Sequence, residues 1–187
     1  AEDVVRMSLG KCKYADLPAP ESVEVTNRVL VIGGGVAGMS AAENATRAGK
    51  EVTLVEKEAE LGGFANKLHK IYPRDLEMKA YPEPDVPAMV SQVQENERIT
   101  VYTGAEVGRI EGAPGMFDVI LNQNGDKHEL KVDSVVLACG WQPYDPGKLG
   151  HLGYGKSPDV VTNVEFEELA KQDKLARPSD GKAIDSI

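Results

Sequence analysis

The fold is decided by a short apolar segment that leads directly into a glycine-rich turn: Arg28-Val29-Leu30-Val31-Ile32-Gly33-Gly34-Gly35-Val36-Ala37-Gly38. The aliphatic and β-branched residues at 28–33 predict a strand, and residues 36–48 predict the helix that follows it. The glycines at 33, 35 and 38 have the G-x-G-x-x-G spacing of a turn that binds the pyrophosphate of a dinucleotide. The N–H groups of the first helical turn, at Val36 and Ala37, would face that anion.

A carboxylate follows at the expected distance. A second apolar run, predicted as a strand over 51–56, ends at Glu56, which comes eighteen residues after Gly38; about 20 is typical of the acid that binds the ribose. Because a carboxylate there repels a 2′-phosphate, FAD or NAD is favoured over NADP. The alternative, an α/β domain with a glycine turn and no nucleotide, is less consistent with this order of elements.

Composition excludes several classes of protein. The chain has 187 residues, 41% hydrophobic and 27% charged, which indicates a globular domain with a core of its own. A net charge of −9 argues against a nucleic-acid partner and against an anionic membrane surface. We expect no direct membrane insertion, because no apolar run is long enough for a span.

The cysteines and histidines predict neither a disulfide framework nor a metal site. The two cysteines, Cys12 and Cys139, are far apart in sequence, which favours a reducing, cytoplasmic location. The three histidines are isolated and do not have the spacing of metal ligands; they are His69, His128 and His151.

The N-terminal 25 residues are predicted as a separate unit. Residues 2–16 indicate a helix with Val5, Leu9 and Cys12 on one face. We expect that face to pack on the main domain; the alternative is a helix that joins two modules. A proline-containing connector over 17–25 leads to the main domain, residues 26–187.

The rest of the chain predicts a parallel sheet with an antiparallel insertion. A helix over 85–96, with Pro87 in its first turn, precedes a third strand at 99–102. Three short strands, 106–110, 116–121 and 128–132, then form a meander, with Asn124-Gly125 as a hairpin turn. A buried run, 134–138, returns to the parallel sheet. Loops follow over 141–160, then a helix over 163–171 capped by Thr162 or Asn163. The predicted fold class is α/β, a Rossmann-like parallel sheet with a three-stranded antiparallel meander.

This combination resembles the FAD domain of flavoproteins of the glutathione reductase type. In that family the strand after the meander ends in Ala-Thr-Gly-x-x-Pro beside the flavin cofactor, and here it ends in Ala138-Cys139-Gly140-Trp141-Gln142-Pro143. The resemblance implies that Ala138, Cys139 and Gly140 line the cofactor site. We expect Cys139 to be a small buried residue and not a redox thiol, because no second cysteine lies at short spacing.

A narrower resemblance covers nearly the whole chain. Residues 25–39, 55–58, 61–63, 71–73, 153–155 and 160–167 are similar to the A-type subunit of heterodisulfide reductase and to the flavoprotein subunits of the quinone-interacting membrane-bound oxidoreductase complex. This implies the FAD-binding part of an electron-transfer subunit, with other redox subunits as partners, in the cytoplasm or held at a membrane by those subunits. Members of the family are longer and carry iron–sulfur clusters. Here residues 74–80 contain no cysteine, so we expect those clusters only in parts of the parent subunit outside this chain, and we expect the FAD fold to be incomplete at the C-terminus.

The resemblance also assigns the remaining site residues. Gly33, Gly35, Ala37 and Gly38 would hold the pyrophosphate, Glu56 the ribose, and Gly62 and Gly63 would let the backbone approach the cofactor. Lys57 would cover the adenine; the alternative is a solvated lysine at the end of a strand. The backbone of Val107 would contact the adenine; the alternative is an ordinary strand valine. No residue is predicted as a catalytic acid or base. Two alternative functions stay open, a catalytically silent module for subunit assembly and an NAD-binding domain.

Overall fold

The computed structural model describes residues 2–16, 25–72, 81–173 and 175–184. Its four α-helices are α1 (Glu2–Tyr14), α2 (Val36–Arg47), α3 (Val86–Glu95) and α4 (Asn163–Lys171). Its seven strands are β1 (Arg28–Ile32), β2 (Glu51–Val55), β3 (Ile99–Tyr102), β4 (Ala105–Ala113), β5 (Met116–Gln123), β6 (Asp126–Val132) and β7 (Ser134–Leu137). Two 3-10 helices lie at Gly63–Lys67 and Pro146–Leu152. The predicted order of elements is confirmed.

The larger sheet is parallel, with strand order β3-β2-β1-β7. In its centre Val31 is paired with Leu54 on one side and with Val136 on the other. Because all four strands run in the same direction, the segments that follow β1, β2 and β7 leave the sheet at one edge. That edge carries the glycine-rich turn.

Alternating side chains of β1 point into two separate cores, as the period of a strand requires. Val29 and Val31 pack against α2 and α3, together with Met39, Val52 and Leu54. On the opposite face Leu30 packs with side chains of the meander, among them Val119, Leu121 and Val132. The parallel sheet is therefore the middle layer, between helices and an antiparallel sheet.

The second sheet is the predicted meander, with strand order β4-β5-β6. Asn124 and Gly125 both have positive φ, 52° and 93°, as a type I′ hairpin turn requires. The strands are longer than predicted because the residues beside each turn also form ladder pairs.

The prediction that residues 134–138 are a buried strand is wrong in one respect. β7 pairs in parallel with β1, as expected, but Val136 is 37% exposed and Leu137 is 75% exposed. β7 is the outermost strand, and among the described residues no strand pairs with its free edge. An apolar run indicates a buried strand only if both sides of that strand are covered.

The prediction that α1 packs on the main domain is also wrong. The apolar stripe of Val5, Leu9 and Cys12 is present, but no residue of α1 is buried. Within the described part of the chain the helix is supported locally, by an Arg6–Glu2 ion pair of 2.8 Å and by the Ser8 hydroxyl, which donates to the Val4 carbonyl. Amphipathic spacing predicts a helix but does not identify what covers its apolar face.

Other predictions fall partly outside the described residues. The predicted connector over 17–25 is described only at Val25, and residues 74–80, which contain no cysteine, lie outside the described residues. The predicted loop over 141–160 contains the 3-10 helix at Pro146–Leu152. None of the helices in the described ranges has the length and apolar character needed to cross a membrane.

Asp133 holds the entrance to β1 against the junction of β6 and β7. Its carboxylate accepts hydrogen bonds from the backbone N–H and the hydroxyl of Thr26, at 2.6 and 2.8 Å, and Lys50 Nζ lies 3.9 Å away. Burial by itself would raise the pKa of Asp133, but the hydrogen bonds from Thr26 and Asn27 and the charge of Lys50 lower it below its usual value. The ionised carboxylate therefore stabilises the folded state.

We predict that Asp133→Ala lowers the free energy of unfolding at pH 7 by about 1–3 kcal/mol, because two donors of Thr26 lose their acceptor. The folded-state pKa lies below the unfolded value of about 3.9, so this contribution is complete above that pH and is lost as the pH falls through the folded pKa. Urea titrations at pH 7 and at successively lower pH should show the difference between parent and variant shrinking below about pH 4. Asp118→Ala, which removes an exposed partner of Lys131, is the control and should change stability by less than about 0.5 kcal/mol.

Candidate nucleotide-binding site

Three backbone segments meet at the carboxyl edge of the parallel sheet. The Gly33–Gly38 turn follows β1, Glu56 follows β2, and Ala138 follows β7. They are tied together by backbone hydrogen bonds from Gly33 N–H to the Val55 carbonyl and from Ala138 N–H to the Ile32 carbonyl, both 2.8 Å. We call this arrangement the glycine cradle; it consists of residues 33–38, 56, 62–63 and 138–140.

Gly33 and Gly38 are needed for packing within the protein. Gly33 has φ +109°, and a Cβ there would lie 2.3 Å from the Ala138 carbonyl oxygen. A Cβ at Gly38 would lie only 1.7 Å from the Gly33 carbonyl oxygen. The first turn of α2 can therefore pass over the ends of β1 and β7 only because both residues lack a side chain.

Gly35 differs from these two glycines. Its φ is −76°, which any residue can adopt, and a Cβ built on it would have no atom within 4 Å. It is the N-cap of α2 but has no side chain to cap the helix, so the N–H groups of Val36, Ala37 and Gly38 have no helical acceptor. Nothing within the described fold requires a glycine here. Open space in front of free N–H groups at a helix N-terminus is the geometry of an anion site.

Glu56 is the only buried acidic residue among the described residues, with 7% of its surface exposed. One oxygen accepts the Gly34 N–H at 2.6 Å and the other accepts the Glu58 N–H at 2.9 Å. A buried charge requires such partners. The carboxylate thus fixes the turn, and each of its oxygens keeps a lone pair for a further donor.

The Gly62–Gly63 segment lies directly against the turn. Gly62 N–H donates to the Gly34 carbonyl at 2.8 Å, and a Cβ on Gly63 would be 3.1 Å from the Cα of Gly35. Gly62 has φ +110° at the start of the 3-10 helix. Asn66 fixes the helix to the segment before it, since its amide donates to the Leu61 carbonyl at 2.9 Å.

Two predicted residues lie at the margin of the cradle. Lys57 is exposed, with its amine 3.6 Å from Glu58, which fits a solvated lysine as well as one that covers an adenine. Val107 lies two residues along β4 from Ala105, whose N–H donates to the Glu56 carbonyl at 3.0 Å. Its side chain packs into the core beneath the meander, so only its backbone could meet a ligand.

The turn after β7 completes the cradle. Gly140 has φ +65°, and Cys139 Sγ lies 3.8 Å from the Ile32 carbonyl oxygen. The expectation that Cys139 is buried is wrong, because it follows the exposed end of the outermost strand and is itself exposed. Cys12 and Cys139 are both free thiols.

Gly34 and Leu61 contribute to the site but were not predicted. A Cβ on Gly34 would lie 2.4 Å from a methyl group of Leu61 and 2.9 Å from the Glu56 Cβ. Position 34 is a variable position of the G-x-G-x-x-G pattern, so the pattern gave no reason to select it; the run of three glycines was the available signal.

In the described ranges, no group of three or more histidine, cysteine or acidic side chains is placed to hold a metal ion.

Comparison with known proteins identifies the family. A family model described as "Pyridine nucleotide-disulphide oxidoreductase" matches residues 27–177. The chain belongs to the pyridine nucleotide-disulphide oxidoreductase family. The match contains both the glycine cradle and the meander.

Relatives within this oxidoreductase family include A-type subunits of heterodisulfide reductases. The chain is 27% identical over 269 aligned residues to an A-type iron-sulfur subunit of CoB–CoM heterodisulfide reductase from Methanopyrus kandleri, covering 97% of this chain and 39% of that protein. It is 33% identical over 143 residues to the corresponding iron-sulfur subunit from Methanocaldococcus jannaschii, covering 75% of this chain and 20% of the relative. The resemblance to the A-type subunit is therefore confirmed, and the chain spans less than half the length of these relatives. Because the first alignment is longer than this entire chain, that relative has residues inside the aligned region without a counterpart here.

Solved structures of oxidoreductases share the fold. An L-proline dehydrogenase from P. horikoshii superimposes on 68% of this chain and 25% of its own, with 26% identity and a TM-score of 0.50. Thioredoxin reductase from T. acidophilum covers 64% of this chain and 37% of its own, with 24% identity and a TM-score of 0.51. The predicted fold class, a parallel sheet with helices and an antiparallel three-stranded insertion, is confirmed.

We predict a large loss of stability from alanine at one glycine of this turn and a small change from alanine at another. Gly38→Ala should lower the free energy of unfolding by more than about 3 kcal/mol, because its methyl group would overlap a backbone carbonyl that cannot move independently. Gly35→Ala should change stability by less than about 1 kcal/mol, since its methyl group meets only open space. Thermal and urea unfolding of both variants measures the difference, and equal destabilisation would contradict the assigned packing.

Proposed function

We propose that this chain binds FAD and is the cofactor-binding part of an electron-transfer flavoprotein subunit in a heterodisulfide reductase-like oxidoreductase complex. The observation that supports FAD binding best is Gly35, whose lack of a side chain serves no contact among the described residues. A pyrophosphate in that space would accept hydrogen bonds from the N–H groups at the start of α2. The residues of the cradle fit a dinucleotide on this ground.

Each further part of the cradle has a role toward the same ligand. The remaining lone pairs of Glu56 would accept ribose hydroxyls, while its bonds to Gly34 and Glu58 keep it in place. Gly62 and Gly63 allow the cofactor to pass close to the backbone, and Ala138, Cys139 and Gly140 would line the opposite side. Lys57 and the Val107 backbone are proposed neighbours of the adenine. The bound flavin would supply the redox chemistry, and the protein would bind it and orient it.

FAD is favoured over NAD by the elements around the turn. The meander and the turn after β7 are those of the glutathione reductase type of FAD domain, and a plain NAD-binding domain needs neither. The buried carboxylate of Glu56 also disfavours a 2′-phosphate, which argues against NADP.

The larger assignment is supported by the relatives. Both relatives described above are named as subunits of heterodisulfide reductases. We propose partner subunits of the same kind, a cytoplasmic location with any membrane contact made through them, and iron–sulfur clusters only outside this chain. We also propose residues 1–25 and 26–187 as separate units.

A second candidate function, a silent module for subunit assembly, is favoured by the exposed apolar side chains of α1 and β7. Leu9 is 65% exposed and Leu137 is 75% exposed. If assembly is the only role, the folded protein should be colourless and should not take up FAD.

We predict that FAD remains with the purified protein or binds when added, and that FAD raises the melting temperature more than NAD or ADP does. Flavin absorbance after desalting and thermal shifts with the three ligands measure this. Equal stabilisation by NAD and FAD would contradict the flavin assignment, and a folded protein that takes up no FAD would contradict cofactor binding.

We further predict that Gly35→Ala weakens FAD binding at least about tenfold, the equivalent of 1.4 kcal/mol, while the protein stays folded. Glu56→Gln should weaken binding by about 1.5–3 kcal/mol, because a charged acceptor of ribose hydroxyls is lost. The matched control is Glu60→Gln, an exposed acid four residues further along the chain, which should bind FAD like the parent. Calorimetric titration gives the three affinities; an unchanged affinity in Glu56→Gln would show that the ribose is bound elsewhere.

A further inference from the structure

A cavity of about 540 Å³ lies beside the glycine cradle and is not explained by it. It is lined by Lys67, at the end of the Gly63–Lys67 3-10 helix, and by residues of the segment 141–164. Its volume is within the range of about 300–1,000 Å³ that is typical of small-molecule sites.

Hydrogen bonds fix the walls of this cavity. The Glu167 carboxylate accepts the His69 N–H at 2.6 Å, and the Lys171 amine donates to the Asn66 carbonyl, so α4 is attached to the 3-10 helix. At the start of α4, Glu165 accepts the N–H and the hydroxyl of Thr162 at 2.6 and 2.9 Å, and the Tyr154 hydroxyl donates to it at 2.9 Å. These bonds, those from Thr162 foremost, hold the pKa of Glu165 below its usual value, so it stays an acceptor. The cavity is thus a built feature of the fold.

The lining of the cavity is apolar and aromatic, with one cation. Trp141, Tyr144 and Leu152 contribute to the wall and are each 59–67% exposed. Lys67 is the only cationic side chain of the lining, and among the described residues no carboxylate lies within ion-pair distance of it. The one acid of the lining, Asp145, already accepts the Gly147 N–H at 3.0 Å.

We infer that this cavity is a second binding site, separate from the glycine cradle, for a small planar aromatic molecule that carries one anionic group. The aromatic walls would bury the ring, and Lys67 would pair with the anion. Phe64 and Trp141, whose ring centroids are 4.6 Å apart, directly follow Gly63 and Gly140 of the cradle in sequence. The inference does not depend on the nucleotide, so the ligand-free chain is sufficient to test it.

Trp141 makes the site directly observable, because it is the only tryptophan of the chain. The probe is 1-anilinonaphthalene-8-sulfonate, and N-phenyl-1-naphthylamine has the same rings without the charge. We expect one sulfonated probe to bind per chain, with energy transfer from Trp141 to the probe. Several weak sites, or binding without such transfer, would overturn the inference.

Two pairs of variants test the role of charge. Lys67→Met should lower the affinity for the sulfonated probe about fivefold and leave the affinity for the uncharged probe unchanged. The control, Lys127→Met on β6, should change neither affinity. Leu152→Glu removes part of the apolar wall and adds an opposing charge, so it should weaken binding of both probes, and binding of the sulfonated probe more strongly. Leu175→Glu is its control, because Leu175 is similarly exposed and does not line the cavity. If Lys67→Met and Leu152→Glu bind the sulfonate like their controls, the inference is wrong.

Competition with FAD separates this inference from the proposed function. Simultaneous binding of FAD and the sulfonated probe supports two sites, and displacement of the probe by saturating FAD would overturn the inference. A protein that binds the probe as described but takes up no FAD would contradict the proposed function and leave the second site supported.

Discussion

The first turn of α2 passes so close to the end of β1 that only glycine fits at position 38. A Cβ there would lie 1.7 Å from the Gly33 carbonyl oxygen, and Gly33 itself would collide with Ala138 if it had a side chain. This contact brings the helix N-terminus over the carboxyl edge of the parallel sheet. The same contact places the start of α2 next to Ala138, which follows β7. The Glu56 carboxylate secures the same turn from β2, through the Gly34 N–H.

The three motif positions are therefore occupied by glycine for different physical reasons. Gly33 and Gly38 are required by the protein, whereas Gly35 lies in open space with an ordinary φ. In the described fold only a bound group would be obstructed by a side chain at position 35. The glycine that is dispensable for folding is thus the one that carries the argument for a ligand.

Much of this could be predicted from sequence, because the signals are local. The strand, turn, helix and acid of residues 28–56 follow from period and spacing, and Asn124-Gly125 predicts its hairpin from the positive φ that the turn requires. The Thr162 cap of α4 is also a local feature. Features that depend on distant neighbours could not be predicted. The exposure of Leu137 and Cys139 results from the outer position of β7, and the unburied face of α1 results from the lack of a covering element among the described residues. The cavity beside Lys67 arises from contacts between residues about a hundred positions apart, such as Lys171 with Asn66.

The most direct test of the central claim is a two-dimensional amide NMR spectrum of the chain recorded during titration with FAD. Binding in the glycine cradle predicts that the largest shifts occur at the amides of Gly35, Val36 and Ala37, with smaller ones at Gly62, Gly63 and Gly140. Shifts confined to other parts of the chain, with these amides unchanged at saturating FAD, would contradict it.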